Sequence, residues 1–216
     1  MEAEDSREYF ATRLAPNAAR AAVWAHVARY LRRWIDPDGA LLDLATGYGD
    51  LPAAARAVRR VGIDIHPDLA DIVPPGVEAH VGDATDLSRF VDGEFATVTA
   101  SNFLEHLHQP QIERCLAEVL RVLRPGGHLI LVQPNHRLAP DRYFDDPTHV
   151  TIFDETSLTD AVRRAGFDVV RVEARFLPLT LKSRLSSGHR LVPLYLRLPW
   201  RPLAGQMLVV ARRPRS

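Results

Sequence analysis

Residues Leu41–Asp50 read LLDLATGYGD. The apolar run from Ala40 to Ala45 is short enough for a buried strand, and it leads into a turn holding Gly47 and Gly49. Glycine lets the backbone press against a ligand. The helix expected next, Leu51 to Arg59, opens with N–H groups that have no partner within the helix. This stretch is therefore read as a ligand loop. An ordinary strand-to-helix turn uses the same residues, so the loop alone does not name the ligand.

Working outward, alternation of strand and helix sets the fold class. A helix is expected over 17–35, where Val23, Val27, Tyr30, Leu31 and Ile35 recur at helical spacing, and Pro37-Asp38-Gly39 stops it. Val61–Ile65 reads as a second strand, Val77–Val81 as a weaker third and Phe95–Ala100 as a fourth. Gln109–Leu123 is an amphipathic helix. Pro125-Gly126-Gly127 is a turn, and His128–Gln133 is a fifth strand. A helix over Glu155–Ala165 and strands over Phe167–Val172 and Gln206–Ala211 complete the series. Nearly unbroken apolar strands alternating with helices imply an α/β fold with a parallel sheet covered on both faces. The stretch 176–205 separates the last two strands by more than a usual turn, and it is read as a helical excursion or lid.

In such a sheet ligands sit beyond the C-terminal strand ends, at the switch point of strand order. The second strand ends in Asp64, whose carboxylate suits the two hydroxyls of a ribose. The third leads into Asp83-Ala84, where a carboxylate and the next N–H suit an adenine edge; a helix N-cap is the plainer use of Asp83. The fourth runs into Ser101-Asn102-Phe103-Leu104-Glu105-His106-Leu107, a polar strand end at the sheet centre.

Taken together, LLDLATGYGD, VGIDIHP, VGDATDL, FATVTASNFLEHL and LRVLRPGGHLILVQPN resemble, in order and spacing, the motifs of class I S-adenosylmethionine-dependent methyltransferases. A narrower likeness of SNFLEHL, LRPGG and FLPLTLKSRL is to a bacterial subgroup acting on glycans or secondary metabolites. The resemblance implies a Rossmann-like, doubly wound, seven-stranded, mostly parallel sheet with an antiparallel last strand. It also implies one domain over 1–216, with an N-terminal helical cap (1–36) and a lid-like insertion (176–205). It implies S-adenosylmethionine as cofactor. Asp43, Ala45, Gly47 and Gly49 would line its methionine end, Asp64 its ribose, Ile65, Asp83 and Ala84 its adenine, and Ser101 and Asn102 its amino group. Many members carry glycine where this chain has Ala45. Alanine at positive φ costs about 1 kcal/mol, so Ala45 is expected at negative φ, with Gly47 taking the demanding position.

Methyl transfer to an oxygen needs a group to take the acceptor's proton, and histidine titrates in the right range. His149, in the polar stretch YFDDPTHV after the fifth strand, is one candidate base, with Asp145 or Asp146 to orient it. His106, beside Glu105, is the other, although packing or capping is its plainer role. Among Tyr9, Phe10, Arg13, Arg20 and Trp24, Arg20 or Trp24 is a candidate acceptor contact; core packing is favoured for Trp24.

Composition bounds the rest. The 216 residues are 46% hydrophobic and 25% charged, with zero net charge, which argues against nucleic acid as a partner. A lone cysteine, Cys115, and the lack of CxxC or Cys/His spacing predict neither a disulfide nor a metal site. An acidic start without an apolar segment predicts a cytoplasmic protein. From Ala174 onward there is no Asp or Glu, while nine Arg and Lys interleave with leucines. That pattern suits a self-packing lid, or contact with a membrane or glycolipid. The expected acceptor is a small molecule, sugar or glycolipid, methylated at a hydroxyl, with amine or carboxyl acceptors and a cofactor-binding module as alternatives. A nicotinamide oxidoreductase is disfavoured because the third glycine of GxGxxG and any Tyr-x-x-x-Lys are missing.

Overall fold

The computed structural model describes Phe10 and residues 18–178 and 188–215. In chain order the elements are α1 (Ala18–Leu31), β1 (Ala40–Leu44), α2 (Asp50–Ala54), β2 (Arg59–Asp64), α3 (Leu69–Ile72), β3 (Glu78–Val81), β4 (Phe95–Ser101), α4 (Gln109–Val122), β5 (Leu123–Pro134), α5 (Pro140–Tyr143), α6 (Glu155–Arg164), β6 (Asp168–Pro178), α7 (Val192–Tyr195) and β7 (Ala204–Arg212). Short 3₁₀ turns lie at Leu104–His106, His136–Leu138 and Gly188–Leu191.

The seven strands form one sheet in the order β3-β2-β1-β4-β5-β7-β6. β7 runs antiparallel to both β5 and β6, and the pairs among β1 to β5 are parallel. The apolar runs follow from burial on both faces. Successive residues of one strand enter opposite cores. Leu42, Leu44, Leu129, Leu131, Met207 and Val209 pack with Ile112, Leu116 and Val119 of α4 and Leu158 and Val162 of α6. Leu41, Ile130, Val132, Leu208 and Val210 face the other way, against Val23, Trp24, Val27 and Leu31 of α1 and Val192 of α7. Trp24 is thus a core residue.

Three boundaries depart from expectation. The helix after the glycine turn ends at Ala54, and β2 begins at Arg59, two residues early. There the guanidinium bonds Glu78 at 2.8 and 2.9 Å and Glu94 at 2.6 Å, which ties the segment to the sheet. The Pro125-Gly126-Gly127 turn is absorbed into β5, because Gly126 N–H bonds the Arg213 carbonyl and Arg213 N–H bonds the Gly127 carbonyl, both at 2.9 Å. β6 runs on to Pro178 and shortens the expected excursion; residues 179–187 of it, including Lys182 and Arg184, lie outside the described residues.

Candidate active site

Strand order reverses between β1 and β4, so the turn after β1 and the segment after β4 share one edge of the sheet. The first turn is shaped by left-handed backbone at three alternate positions: Ala45 at φ 49°, Gly47 at 56° and Gly49 at 66°. The expectation of negative φ at Ala45 is therefore wrong. The strain there is offset by what it positions. Turning at Ala45 lets Thr46 N–H bond the Ile63 carbonyl at 3.1 Å, and the Thr46 hydroxyl bond Asp43 at 2.7 Å. Thr46 also lies over Gly62, where a Cβ would come within 2.6 Å of its methyl group. Val61 and Ile63 flank Gly62 on β2, so its role in seating Thr46 shows only in three dimensions.

Asp43, one residue before the end of β1, and Asp64, the last residue of the adjacent β2, are both buried. Asp43 accepts from Thr46 and, at 2.5 Å, from Thr99 of β4. Burial pushes its carboxyl up to about 7, against the pull of these two hydroxyls. Asp64 accepts from Gly47 N–H at 2.9 Å and His66 N–H at 3.1 Å. Burial raises it too, and the two N–H groups pull the other way. Asp83 accepts from Thr85 N–H at 2.8 Å, an N-cap-like turn, and the Ala84 carbonyl faces the Cys115 thiol. The thiol itself is buried and pushed up to about 12. Ile65 is half-buried beside Asp64, and Ser101 closes β4. Asn102 adopts φ 48°, which asparagine tolerates, and its side-chain carbonyl accepts from Gln206 at 2.5 Å.

Two of the residues expected before the first strand, Phe10 and Arg20, pack on this loop. Phe10 is buried with its ring centroid 4.3 Å from His66 and 5.5 Å from Tyr48, and Arg20 bonds Asp50 at 2.7 Å with its guanidinium over Tyr48. Phe10 and Arg20 thus pack against the residues of the glycine turn. Tyr9 and Arg13 lie outside the described residues.

A second cluster follows β4. Glu105 is fully buried in the 3₁₀ turn, and its backbone carbonyl accepts from Val150 and Thr151, docking the 143–151 loop onto it. His149 Nδ1 lies 2.5 Å from the Tyr143 carbonyl, so it carries the proton and leaves Nε2 as the lone-pair nitrogen, 3.9 Å from Glu105 Oε1. His106 Nε2 lies 4.0 Å from the same oxygen, and the two imidazole centroids are 4.9 Å apart. His106 Nδ1 meets the Thr148 hydroxyl at 2.8 Å, which bonds Asp146 at 2.6 Å; the Thr148 and Asn102 carbonyls also face that ring. Asp146 therefore acts on His106 through Thr148, and the Tyr143 carbonyl, not Asp145 or Asp146, fixes the His149 ring.

Burial pushes the Glu105 carboxyl up to about 8; its own N–H offsets part of that, yet among the described residues no donor reaches either oxygen with hydrogen-bond geometry. Burial lowers both histidines below the usual range, so at neutral pH both are uncharged. Burial would raise Asp146, but the Thr148 hydroxyl and N–H hold it low. In the sequence Glu105 stands out only as the neighbour of His106 in a polar strand end, and nothing local marks it as buried.

The family model described as a methyltransferase domain matches residues 17–172. The chain is 34% identical over 119 residues to a demethylmenaquinone methyltransferase of Renibacterium salmoninarum, covering 49% of each chain. It is 32% identical over 122 residues to a ubiquinone/menaquinone biosynthesis C-methyltransferase of Methylobacterium nodulans, covering 49% of this chain and 46% of that one. The chain spans about half the length, or less, of the curated relatives it matches. A SAM-dependent methyltransferase from Archaeoglobus fulgidus superposes with a TM-score of 0.64 at 18% identity, over 88% of this chain and 94% of that one, which shows the shared fold. With the five motifs, the strand order and a match over most of the length, the chain belongs to the class I S-adenosylmethionine-dependent methyltransferases.

Proposed function

We propose that the protein transfers a methyl group from S-adenosylmethionine to a small lipophilic acceptor, at a hydroxyl or at a carbon conjugated to one. The observation that carries this reading is the pairing, across the β1/β4 switch point, of the glycine turn with the Glu105–His106–His149 cluster. The turn fits the cofactor. Each Asp64 oxygen spends one lone pair on a backbone N–H and keeps another for a ribose hydroxyl, and Gly47 and Gly49 supply the left-handed backbone that shapes the turn. Asp43, Ala45, Gly47 and Gly49 would hold the methionine end, Ile65, Asp83 and Ala84 the adenine, and Ser101 and Asn102 the amino group. When bound, the cofactor supplies an electrophilic methyl carbon and its own leaving group. The protein's task is to align the acceptor and activate its hydroxyl, which we assign to His149, His106 and Glu105, with Asp146 as a positioning residue. An ionised hydroxyl also makes a conjugated ring carbon nucleophilic, so O- and C-methylation share this requirement. The relatives named for quinones favour a ring carbon, and a sugar or glycolipid hydroxyl meets the same chemistry.

The lipophilic class is also supported by Leu191, Leu194, Trp200 and Leu203, all exposed beside Arg190 and Arg197 in a stretch without acidic residues. Such a face suits an anionic bilayer surface. The test presents methyl-labelled cofactor with a demethylated hydroquinone or a lipid-linked sugar in anionic vesicles, beside water-soluble sugars and phenols. Label is expected in a vesicle-borne acceptor. Label only in a soluble amine, or none while the cofactor still binds, overturns this reading, the latter in favour of a binding module.

Asp43 makes cofactor binding pH-dependent. Its folded-state carboxyl holds a proton up to about pH 7, whereas an unfolded aspartate releases it near 4. Its contribution to apo stability is therefore complete below about pH 4 and lost as pH rises through about 7. A cationic ligand beside it favours the ionised form, so binding below pH 7 expels a proton. The dissociation constant should rise severalfold from pH 8 to pH 6, and calorimetry at pH 6 in two buffers of different ionisation enthalpy should count the proton. A flat profile, or the same profile in Asp43→Asn, contradicts this.

A further inference from the structure

The Glu105 carboxylate has no solvent exposure, and among the described residues neither oxygen finds a hydrogen-bond donor. A buried carboxyl in that state costs several kcal/mol unless a cation or a donor compensates it. What faces it is a second and a third electron-pair donor. The Tyr143 carbonyl fixes the His149 tautomer and points the Nε2 lone pair toward Glu105. His106 Nε2 stands at a similar distance from the same oxygen, and one ligand atom from each of the three residues falls within 4.8 Å of the others. Separations of 3.9 and 4.0 Å are too long for hydrogen bonds. They approach the separation of two ligands of one ion, which at bond lengths of about 2.0–2.2 Å stand roughly 3–4 Å apart. A carbonyl behind one imidazole, and a hydroxyl–carboxylate chain through Thr148 and Asp146 behind the other, are the supports that metal-bound histidines use.

We propose that Glu105, His106 and His149 hold one divalent transition-metal ion. Two imidazoles and one carboxylate favour Zn²⁺ or Fe²⁺ over Mg²⁺ or Ca²⁺ and leave coordination positions for an acceptor oxygen. This rests on the proposed function only for the acceptor's place; it specifies how the cluster would activate a hydroxyl, since a bound cation makes a coordinated hydroxyl more acidic. Sequence spacing predicted no metal because the set joins adjacent residues to a histidine 43 positions downstream, on a loop that only the fold brings back.

The test is a calorimetric titration of the full chain with Zn²⁺ after dialysis against a chelator. One tight site per chain is expected, weakened at least about 100-fold in both Glu105→Gln and His149→Asn, beyond the loss typical of an outer-shell partner. Mg²⁺ should give no comparable heat. Because asparagine can keep the bond to the Tyr143 carbonyl, and glutamine the shape of Glu105, cofactor binding by each variant certifies its fold. Absence of a one-to-one site, or a site equally tight in both variants, overturns the proposal. No acceptor enters the titration. A failed methyl-transfer assay with intact Zn²⁺ binding therefore sinks the transferase reading alone, and the converse sinks only the metal.

Discussion

Replacing His149 by alanine should lower turnover by about 10³-fold while leaving S-adenosylmethionine affinity within about twofold. The size follows from what a positioned acceptor-activating group contributes, on the order of 10²–10⁴-fold, or about 4 kcal/mol of barrier for a thousandfold loss. The selectivity follows from where the side chain sits. His149 is held by the Tyr143 carbonyl and faces Glu105, with its ring against those of His106 and Tyr143; none of these is in the glycine turn or at Asp64.

A purely structural histidine makes a different prediction, since its loss would loosen the 143–151 loop and lower stability. His149→Asn separates the two. The asparagine amide can replace the Nδ1–H donor to Tyr143, so a structural role is rescued, while the Nε2 lone pair is gone. Both variants should therefore lose turnover alike, measured with the acceptor that the labelled-methyl assay identifies. Turnover restored to within about fivefold in the asparagine variant would remove His149 from the activating group. Glu105→Gln should behave like His149→Ala in turnover, because it keeps volume but removes the carboxyl oxygen on which both imidazoles converge.

Legibility from sequence ran in step with locality. The strands could be read because burial on both faces leaves each an apolar run, and Asp64 because a strand end plus a carboxylate is a local pattern. Helix and strand limits slipped where long-range bonds decide them. Arg59 enters β2 because Glu78 and Glu94 hold it there, and Gly126 enters β5 because Arg213 pairs with it. Ala45 was misjudged for a related reason. Its intrinsic preference opposes φ 49°, but the bonds made by Thr46 and the space above Gly62 overrule it. The cluster at Glu105 was half visible. Its histidines stood out by residue type, whereas the buried carboxylate joining them depends on which way a one-turn 3₁₀ segment points, and no periodicity records that.

The same dependence on distant partners governs stability at Arg201, and there the expected effect is large. Arg201 is buried and bonds Glu173 at 2.5 Å, the Arg175 carbonyl at 3.0 Å, the Leu196 carbonyl at 2.8 Å and the Tyr30 hydroxyl at 3.3 Å. It thereby joins β6, the end of α7 and α1. Burial alone would raise the Glu173 carboxyl, yet bonds from Arg201, Tyr30 and Arg171 hold it below its usual value; Arg201 in turn is held above its own, chiefly by Glu173 against burial. Arg201→Met should therefore cost about 3–5 kcal/mol, because it leaves a buried carboxylate short of its counter-charge. For a chain of this size that is a fall of roughly 10 °C in melting temperature. Adding Glu173→Leu should recover most of the loss, since an apolar pair in place of a buried ion pair is often neutral or better. Acid acts on the same carboxylate. A carboxyl with a depressed folded-state pKa stabilises above its unfolded value near 4 and loses that contribution as pH falls through the lower folded one. The gap between wild type and Arg201→Met should thus narrow as the pH drops below about 4. Chemical denaturation at pH 7 and pH 3.5 would measure both, and a single variant within about 1 kcal/mol of wild type at pH 7 would show that this network does not hold β6 to the N-terminal helix.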